Sequence, residues 1–446
     1  MNAQASGEYT IGRRGSRISG EARLSALTIS VDDPDGWAED AATRQKFLRR
    51  KGFQPMQHRH NPDMEPALTE VIVRPVDTRA QRKRFIQLPW RIYRDDPCWM
   101  PPLVMSQEEL LGFRPHPFYE RSKSRSFLAT RGGRDVGRIT AIVNAGHIER
   151  YKEQRGFFGF FECDDDPEAA RGLFDAAKDW LHGQGMTTIR GPANPSLNYE
   201  CGLLIEGFET PPFFMMTHNR PWYGKLVEAN GFGKIEDLYA FWGEISMLNN
   251  LDSKLATMVE GVKERFGVKV RPLDRSRFDE EVRMFLEIYN SSLSGTWGFV
   301  PLSSGEVKHM AESLRHLIVP ELSLVAEVNG RPIGTVFCLL DYNPRIKAIN
   351  GRLFPFGFLR LLWNKKSITR MRAISTNVVP EYQAWGVGLV LMGALVKPLQ
   401  DWGMKEVEFS WVLESNHLSK RSLERGGALV TKKYRIYQDD PPKPSG

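Results

Sequence analysis

The sequence predicts an α/β (α+β) protein that uses one order of elements twice, each copy a mixed central sheet flanked by helices, with the first copy degenerate. Three observations carry this. Residues 374–437 read in turn as a β-branched strand, a glycine loop, an apolar helix, a second strand, a helix led by Asn416 and a last strand bearing Tyr434 and Tyr437. Residues 157–232 follow a comparable order and close on Glu228-Ala229-Asn230-Gly231, the Glu-x-x-Gly ending also seen at Glu424-Arg425-Gly426-Gly427. Length is the third: 446 residues exceed one ordinary domain of about 100–200 residues. The expected division is a charged tail at 1–66, a degenerate copy at 67–245 and an intact copy at 246–446.

The tail alternates basic, acidic and basic clusters with few apolar residues, so it is expected to lack a core of its own, apart from a short helix at 41–50. A strand at 69–74 and a helix at 78–93, with Phe85, Leu88 and Ile92 on one face, begin the ordered chain. Asp95-Asp96-Pro97-Cys98-Trp99-Met100-Pro101-Pro102 breaks regular structure. Strands at 126–131 and 135–144 flank Gly132-Gly133 as a hairpin, followed by a strand at 157–161, a helix at 166–183, a strand at 186–190 and a helix opened by Pro221. After a polar linker at 246–252 come a helix at 254–266, a strand at 268–272, a helix at 278–289 and a hairpin turning on Asn329-Gly330. The helix at 389–399 is expected to bend or end at Pro398.

Composition excludes several classes. Cys98, Cys163, Cys201 and Cys338 form no Cys-x-x-Cys pair, and His58 and His60 lack an acidic partner at ligand spacing, so neither a disulfide framework nor a metal site is expected. No uninterrupted apolar run of about 18 residues suggests a spanning helix, and the first residues lack an apolar core for secretion, so a cytoplasmic location is expected. The net charge of +7 is concentrated in 352–372, where Arg352, Arg360, Lys365, Lys366, Arg370 and Arg372 meet no acid. That concentration brackets apolar residues and does not track a phosphate backbone, so no nucleic acid is expected.

The centre of the intact copy is Gln383-Ala384-Trp385-Gly386-Val387-Gly388, between the strand at 374–379 and the helix. A glycine loop at a helix N-terminus presents N–H groups to an anion, and its glycines let a pyrophosphate approach without a Cβ in the way. It lacks the Gly-Lys-Ser/Thr of a Walker loop and the three glycines of a dinucleotide fingerprint. The first copy has Cys163-Asp164-Asp165-Asp166-Pro167-Glu168 at the matching place, where the acids repel a phosphate and proline has no N–H.

Taken in order, these motifs resemble the Gcn5-related N-acyltransferase (GNAT) superfamily in its tandem form, over residues 69–438. The resemblance implies acyl-CoA as co-substrate, held by Val378, Val379, the hexapeptide from Gln383 to Gly388 (Ala384, Trp385, Gly386 and Val387 included) and Asn416. It implies that Glu414 or Glu381 is the base, that Tyr434 or Tyr437 returns a proton to CoA sulfur, and that the thioester carbonyl sits on an N–H near Val378 or Val379. Tyr289, Asn290 and Trp297 lie where this fold builds its acceptor site.

Two further stretches narrow the resemblance. Residues 353–366 are apolar nearly all round yet flanked by cations, which suits a segment lying on a membrane surface better than a core helix. The connection at 198–216 is long and apolar enough to line an acyl groove or to pack between the halves. With the motif at 93–102 they are similar to the bacterial ceramide synthase-like acyltransferases, implying a lipid-like amine as acceptor and a location peripheral to the inner face of the membrane. An N-acetyltransferase of a small soluble amine, an aminoacyl transferase and a non-enzymatic acyl-CoA sensor remain open alternatives, and the oligomeric state is not indicated.

Overall fold

The computed structural model describes residues 70–248 and 253–439; the charged tail with its helix at 41–50 and residues 249–252 of the linker lie outside them. The first half runs β1 (Val71–Pro75), α1 (Arg79–Ile92), α2 (Val104–Leu110), β2 (Lys123–Arg131), β3 (Arg134–Val143), α3 (Ala145–Tyr151), β4 (Arg155–Cys163), α4 (Pro167–Gly183), β5 (Thr188–Gly191), β6 (Ala193–Asn194), β7 (Glu200–Cys201), β8 (Leu203–Glu206), α5 (Tyr223–Ala229) and β9 (Phe232–Glu244). The second half runs α6 (Ile245–Leu248), α7 (Ser253–Phe266), β10 (Val268–Pro272), α8 (Phe278–Ser292), α9 (Ser304–Leu314), β11 (Leu324–Val328), β12 (Arg331–Leu340), α10 (Asn343–Ala348), α11 (Gly357–Leu362), β13 (Arg370–Val378), α12 (Val387–Trp402), β14 (Glu406–Leu413), α13 (His417–Arg425) and β15 (Leu429–Asp439).

Local chemistry accounts for most boundaries. Thr78 and Gln81 exchange side-chain bonds with each other's backbone N–H at the start of α1, and Phe85, Leu88 and Ile92 are buried as its spacing predicts. Asp166 caps α4 with Pro167 in the first turn. Asn329 and Gly330 both take positive φ, 52° and 77°, which matches a tight hairpin turn to strand twist. Pro398 is the exception: α12 continues through it to Trp402 and stops at Gly403, φ 81°. Val390, Leu391, Leu395 and Leu399 form one buried stripe across the proline, so packing outweighs the one backbone bond it removes.

Both halves share one sheet, ordered β1-β2-β3-β4-β5-β15-β9-β14-β13-β12-β11-β10, with β8 also on β15. Its centre is an exchange. β9, the last strand of the first half, pairs with β14 from Glu244↔Glu406 to Leu238↔Leu413, while β15 pairs with β5 at Gly191↔Tyr437. The two exchanged strands pair with each other from Leu429↔Trp242 to Asp439↔Phe232.

A buried carboxylate fastens this seam. Asp237 of β9 is 0% exposed and meets Arg435 at 2.8 Å and Lys433 at 3.3 Å, both on β15, and Lys234 at 3.1 Å. Burial pushes its pKa up, but the bonds from Arg435 and Lys234 outweigh that and hold it below the usual carboxylate value. A carboxylate depressed in the folded state contributes fully above its unfolded pKa of about 4, and the contribution falls away as pH drops through the folded value. Asp237→Ala is expected to cost about 3 kcal/mol, because Arg435 loses its carboxylate while Lys234 and Lys433 keep Glu414 and Glu206, read as a lower urea midpoint at pH 7. The gap between variant and wild type should narrow below pH 4.

Candidate active site

β13 and β14 are parallel only from Arg370↔Glu406 to Ala373↔Phe409. Beyond that the strands separate, and the rest of β13 borders a gap. Gly334 faces Val378 across β12–β13, and the Val379 N–H donates to the Ile333 carbonyl at 2.9 Å. In an antiparallel ladder this makes Val378 a non-hydrogen-bonded position, so its main-chain groups and those of Thr376 turn toward the gap. Of the two N–H groups that the sequence offers to a thioester carbonyl, Val379's is taken and Val378's faces the opening.

The glycine loop closes the far end of the gap. Pro380–Trp385 form one 3-10 turn, Gly386 adopts φ 80°, and α12 begins at Val387. The first N–H groups of a helix have no acceptor within it, so those of Val387 and Gly388 leave its positive end open. Trp385 stacks on Phe266 with ring centres 4.2 Å apart and Tyr382 meets Trp385 edge-on at 4.5 Å, which anchors the turn to α7. Gln383 Nε2 donates to the carbonyls of Val378 (3.0 Å) and Ser292 (3.2 Å), tying the loop to the end of β13 and to α8. Ala384 and Glu381 are exposed at the mouth.

The first half has the matching gap, and its own chain fills it. β4 and β5 pair only from Arg155↔Thr188 to Phe157↔Arg190. Beyond that, Phe160 N–H donates to Asn194 Oδ1 at 2.7 Å, and a Cβ on Gly159 would stand 2.0 Å from the Ala193 carbonyl oxygen. The acidic turn is neutralised from within: Asp164 pairs with Arg91 at 3.0 Å and Asp166 with Arg131 at 2.9 Å.

The remaining sequence candidates divide. Tyr434 is 0% exposed on β15, its hydroxyl has no partner, and burial holds its pKa well above the ordinary value. It belongs to a buried polar group at the apex of the β13–β14 gap. There Arg372 bonds Ser410 and the Phe214 and Met215 carbonyls, and Glu408 accepts from Ser410 at 2.7 Å while its second oxygen has no partner. Tyr437 instead faces the first half and bonds Glu228 at 3.1 Å. Glu414 is ion-paired with Lys234 at 2.7 Å, and Asn416 caps α13 through the Ser419 N–H. Asn290 spends both ends of its amide on Leu302, Trp297 lies 4.8 Å from the Arg190 guanidinium, and the Tyr289 hydroxyl reaches 3.5 Å from Asn198 of the first half.

A cavity of about 270 Å³ lies beside this apex, bounded by the 99–103 segment, β4, the 212–219 segment and α9. Its wall carries His218, one half of a pair that sequence reasoning missed. His218 Nε2 bonds Asp96 Oδ2 at 3.0 Å, with the side chains 4% and 7% exposed, and Asp96 Oδ1 accepts the Cys98 N–H at 2.9 Å. Burial pushes the His218 pKa down, keeping the ring neutral, and Nδ1 has no partner. Glu162, also on the wall, accepts from Tyr93 at 2.6 Å and Tyr223 at 2.8 Å. Asp96 lies in a motif whose prolines read as a breaker, and a lone histidine carries no local signal.

The 353–366 segment holds α11, which buries Leu361 and presents most of the other apolar residues at the surface. Phe354 and Phe356 are each 71% exposed and Trp363 78%. Its cations separate: Arg352, Arg360 and Lys366 are exposed, whereas Arg370 pairs with Asp341 and Arg372 is buried in the polar group above. No helix among the described residues is long and apolar enough to cross a membrane.

No family model matches the chain. Protein YghO of Escherichia coli (strain K12) is 37% identical over 373 residues, spanning 82% of this chain and 95% of that protein. The bacterial ceramide synthase of Caulobacter vibrioides (strain NA1000 / CB15N) is 36% identical over 386 residues, spanning 83% and 97%. Among solved structures, a tandem GNAT protein from the clavulanic acid biosynthesis pathway matches with a TM-score of 0.51 at 14% identity, over 84% of this chain and 100% of that one. The GCN5-related glucosamine N-acetyltransferase region of a fungal multi-domain GH3 beta-N-acetylglucosaminidase matches with a TM-score of 0.51 at 15% identity, over 85% of this chain and 39% of that one. Those two likenesses show the fold, that of a tandem GNAT protein, and the two relatives show the family: the chain belongs to the family that contains protein YghO and the bacterial ceramide synthase.

Proposed function

We propose that this protein transfers a fatty acyl group from acyl-CoA to the nitrogen of a long-chain amine, with a sphingoid base as the best-fitting acceptor. The observation that carries this is the contrast between the two gaps: the first is filled by its own chain, the second keeps an open strand edge and a glycine turn beside a largely apolar cavity. The chain then works as two copies divided near residue 245, the second holding acyl-CoA. In this reading Gly386 and the N–H groups of Val387 and Gly388 hold the pyrophosphate, and Val378 N–H holds the carbonyl oxygen as it gains charge. The new C–N bond forms as the C–S bond breaks; the amine gives its proton to a base, and Tyr434 returns one to the sulfur. Glu414 is engaged with Lys234 and Glu381 is exposed to solvent, so neither is preferred as that base. The name of the ceramide synthase relative supports the acceptor class.

Purified protein is expected to acylate sphinganine with palmitoyl-CoA and to leave acetyl-CoA with a soluble polyamine nearly unused. The reverse preference would overturn the lipid assignment in favour of the small-amine reading. The exposed apolar residues around α11, with their cationic rim, are proposed to rest on an anionic membrane surface, which would supply such an acceptor. Trp363→Glu with Lys366→Glu should abolish co-flotation with anionic vesicles at low salt while acyl-CoA affinity stays unchanged. A wild-type protein that does not float would remove the membrane contact from the proposal.

A further inference from the structure

We infer that the cavity beside the second gap is the acceptor site and that the Asp96–His218 pair in the first half is the base of the transfer; this rests on the N-acyl transfer reading above. Four observations meet here. Asp96 accepts from His218 Nε2, which fixes the tautomer and leaves the Nδ1 lone pair unshared; Nδ1 is buried without a partner. Asp96 is itself held by the Cys98 N–H and lies 3.6 Å from Arg220, so it keeps its charge and its orientation. Apolar walls from Trp99, Phe160, Met215 and Met310 suit the alkyl chain of an amine.

The fourth is continuity with the donor side. His218 stands two positions after Met216, whose sulfur lies 3.4 Å from Ser410 Oγ on β14, and the Phe214 and Met215 carbonyls are held by Arg372 of β13. The segment that carries the base is therefore the wall shared by cavity and gap. In the step, the amine N–H proton passes to His218 Nδ1 as nitrogen attacks the thioester carbon, and the imidazolium is stabilised by Asp96. The first half, having filled its own cofactor gap, supplies acid–base chemistry to the second. His218 is the catalytic residue and Asp96 a positioning residue.

The test uses the full chain with palmitoyl-CoA and sphinganine. His218→Ala should lower kcat by about 100-fold or more, with unchanged acyl-CoA affinity by calorimetry and a cooperative unfolding transition retained, and added imidazole should restore part of the rate. Asp96→Asn should lower kcat at unchanged acyl-CoA affinity, without imidazole rescue. His218→Gln, of similar size and polarity, controls for packing: turnover near the wild-type level with His218→Gln or His218→Ala would overturn the inference. So would loss of rate that imidazole does not restore in a folded His218→Ala. Absence of amide product from the wild type itself overturns the N-acyl transfer reading instead, so the two failures are distinguishable.

Discussion

Cut at residue 245 and expressed as separate chains, neither half is expected to fold. Each lacks a central strand, because β15 completes the edge of β5 and β9 completes that of β14. On β15, Tyr434 and Ile436 are 0% exposed and Tyr437 is 1% exposed, with Asp237 bound across the seam. Each such side chain contributes about 1.5–3 kcal/mol of burial, against a net stability of roughly 5–15 kcal/mol for a typical protein. Loss of the three together is of the same order as that margin. The halves should be recovered as aggregates when made singly, since each would also expose a long unpaired strand edge. Produced together, they should form a soluble one-to-one complex by size-exclusion chromatography with a single cooperative unfolding transition. A soluble, cooperatively folding 70–245 fragment would contradict the exchange.

Gly386→Asp is expected to weaken acyl-CoA binding by at least about 100-fold, measured by calorimetry. Two effects add. Gly386 sits at φ 80°, where a residue with a Cβ is disfavoured by roughly 1–2 kcal/mol, and a carboxylate at the helix N-terminus would repel the phosphates drawn there. Stability should fall only by about that backbone strain, since a Cβ there meets Val262 at an ordinary 3.5 Å. Gly386→Ala isolates the backbone effect and should give an intermediate loss. Asp165→Ala in the first half should change nothing, and a stoichiometry of two CoA per chain would show that the first gap is open after all.

How much of this was legible follows from the range over which each feature is encoded. The hairpin at Asn329-Gly330, the glycine turn and α4 after Asp166 are set by residues within a few positions, and the sequence marks them. The exchange of β9 and β15 is not so marked, because both strands carry ordinary β patterning and nothing local says which neighbour each will take. Arg372 reads as one charge in a basic run, yet β13 turns it inward beside Glu408. Tyr434 and Tyr437 are three apart on a strand, so they face opposite sides and only one could reach the gap; the sequence contained that choice but not its answer. His218 acquires meaning only through Asp96, 122 positions away.

The exchanged strand also constrains the order of events at the ribosome. Gly191 of β5 is paired by Tyr437, about 250 residues later, and at roughly 5–20 residues per second the first half must wait on the order of ten seconds to a minute for its final strand. During that interval the β5 edge and the aromatic residues that β15 covers stay open to solvent and to other nascent chains. Production of this protein should accordingly depend on factors that shelter unfinished chains, and shortening the chain by even its last dozen described residues should trap the first half in that unsheltered state.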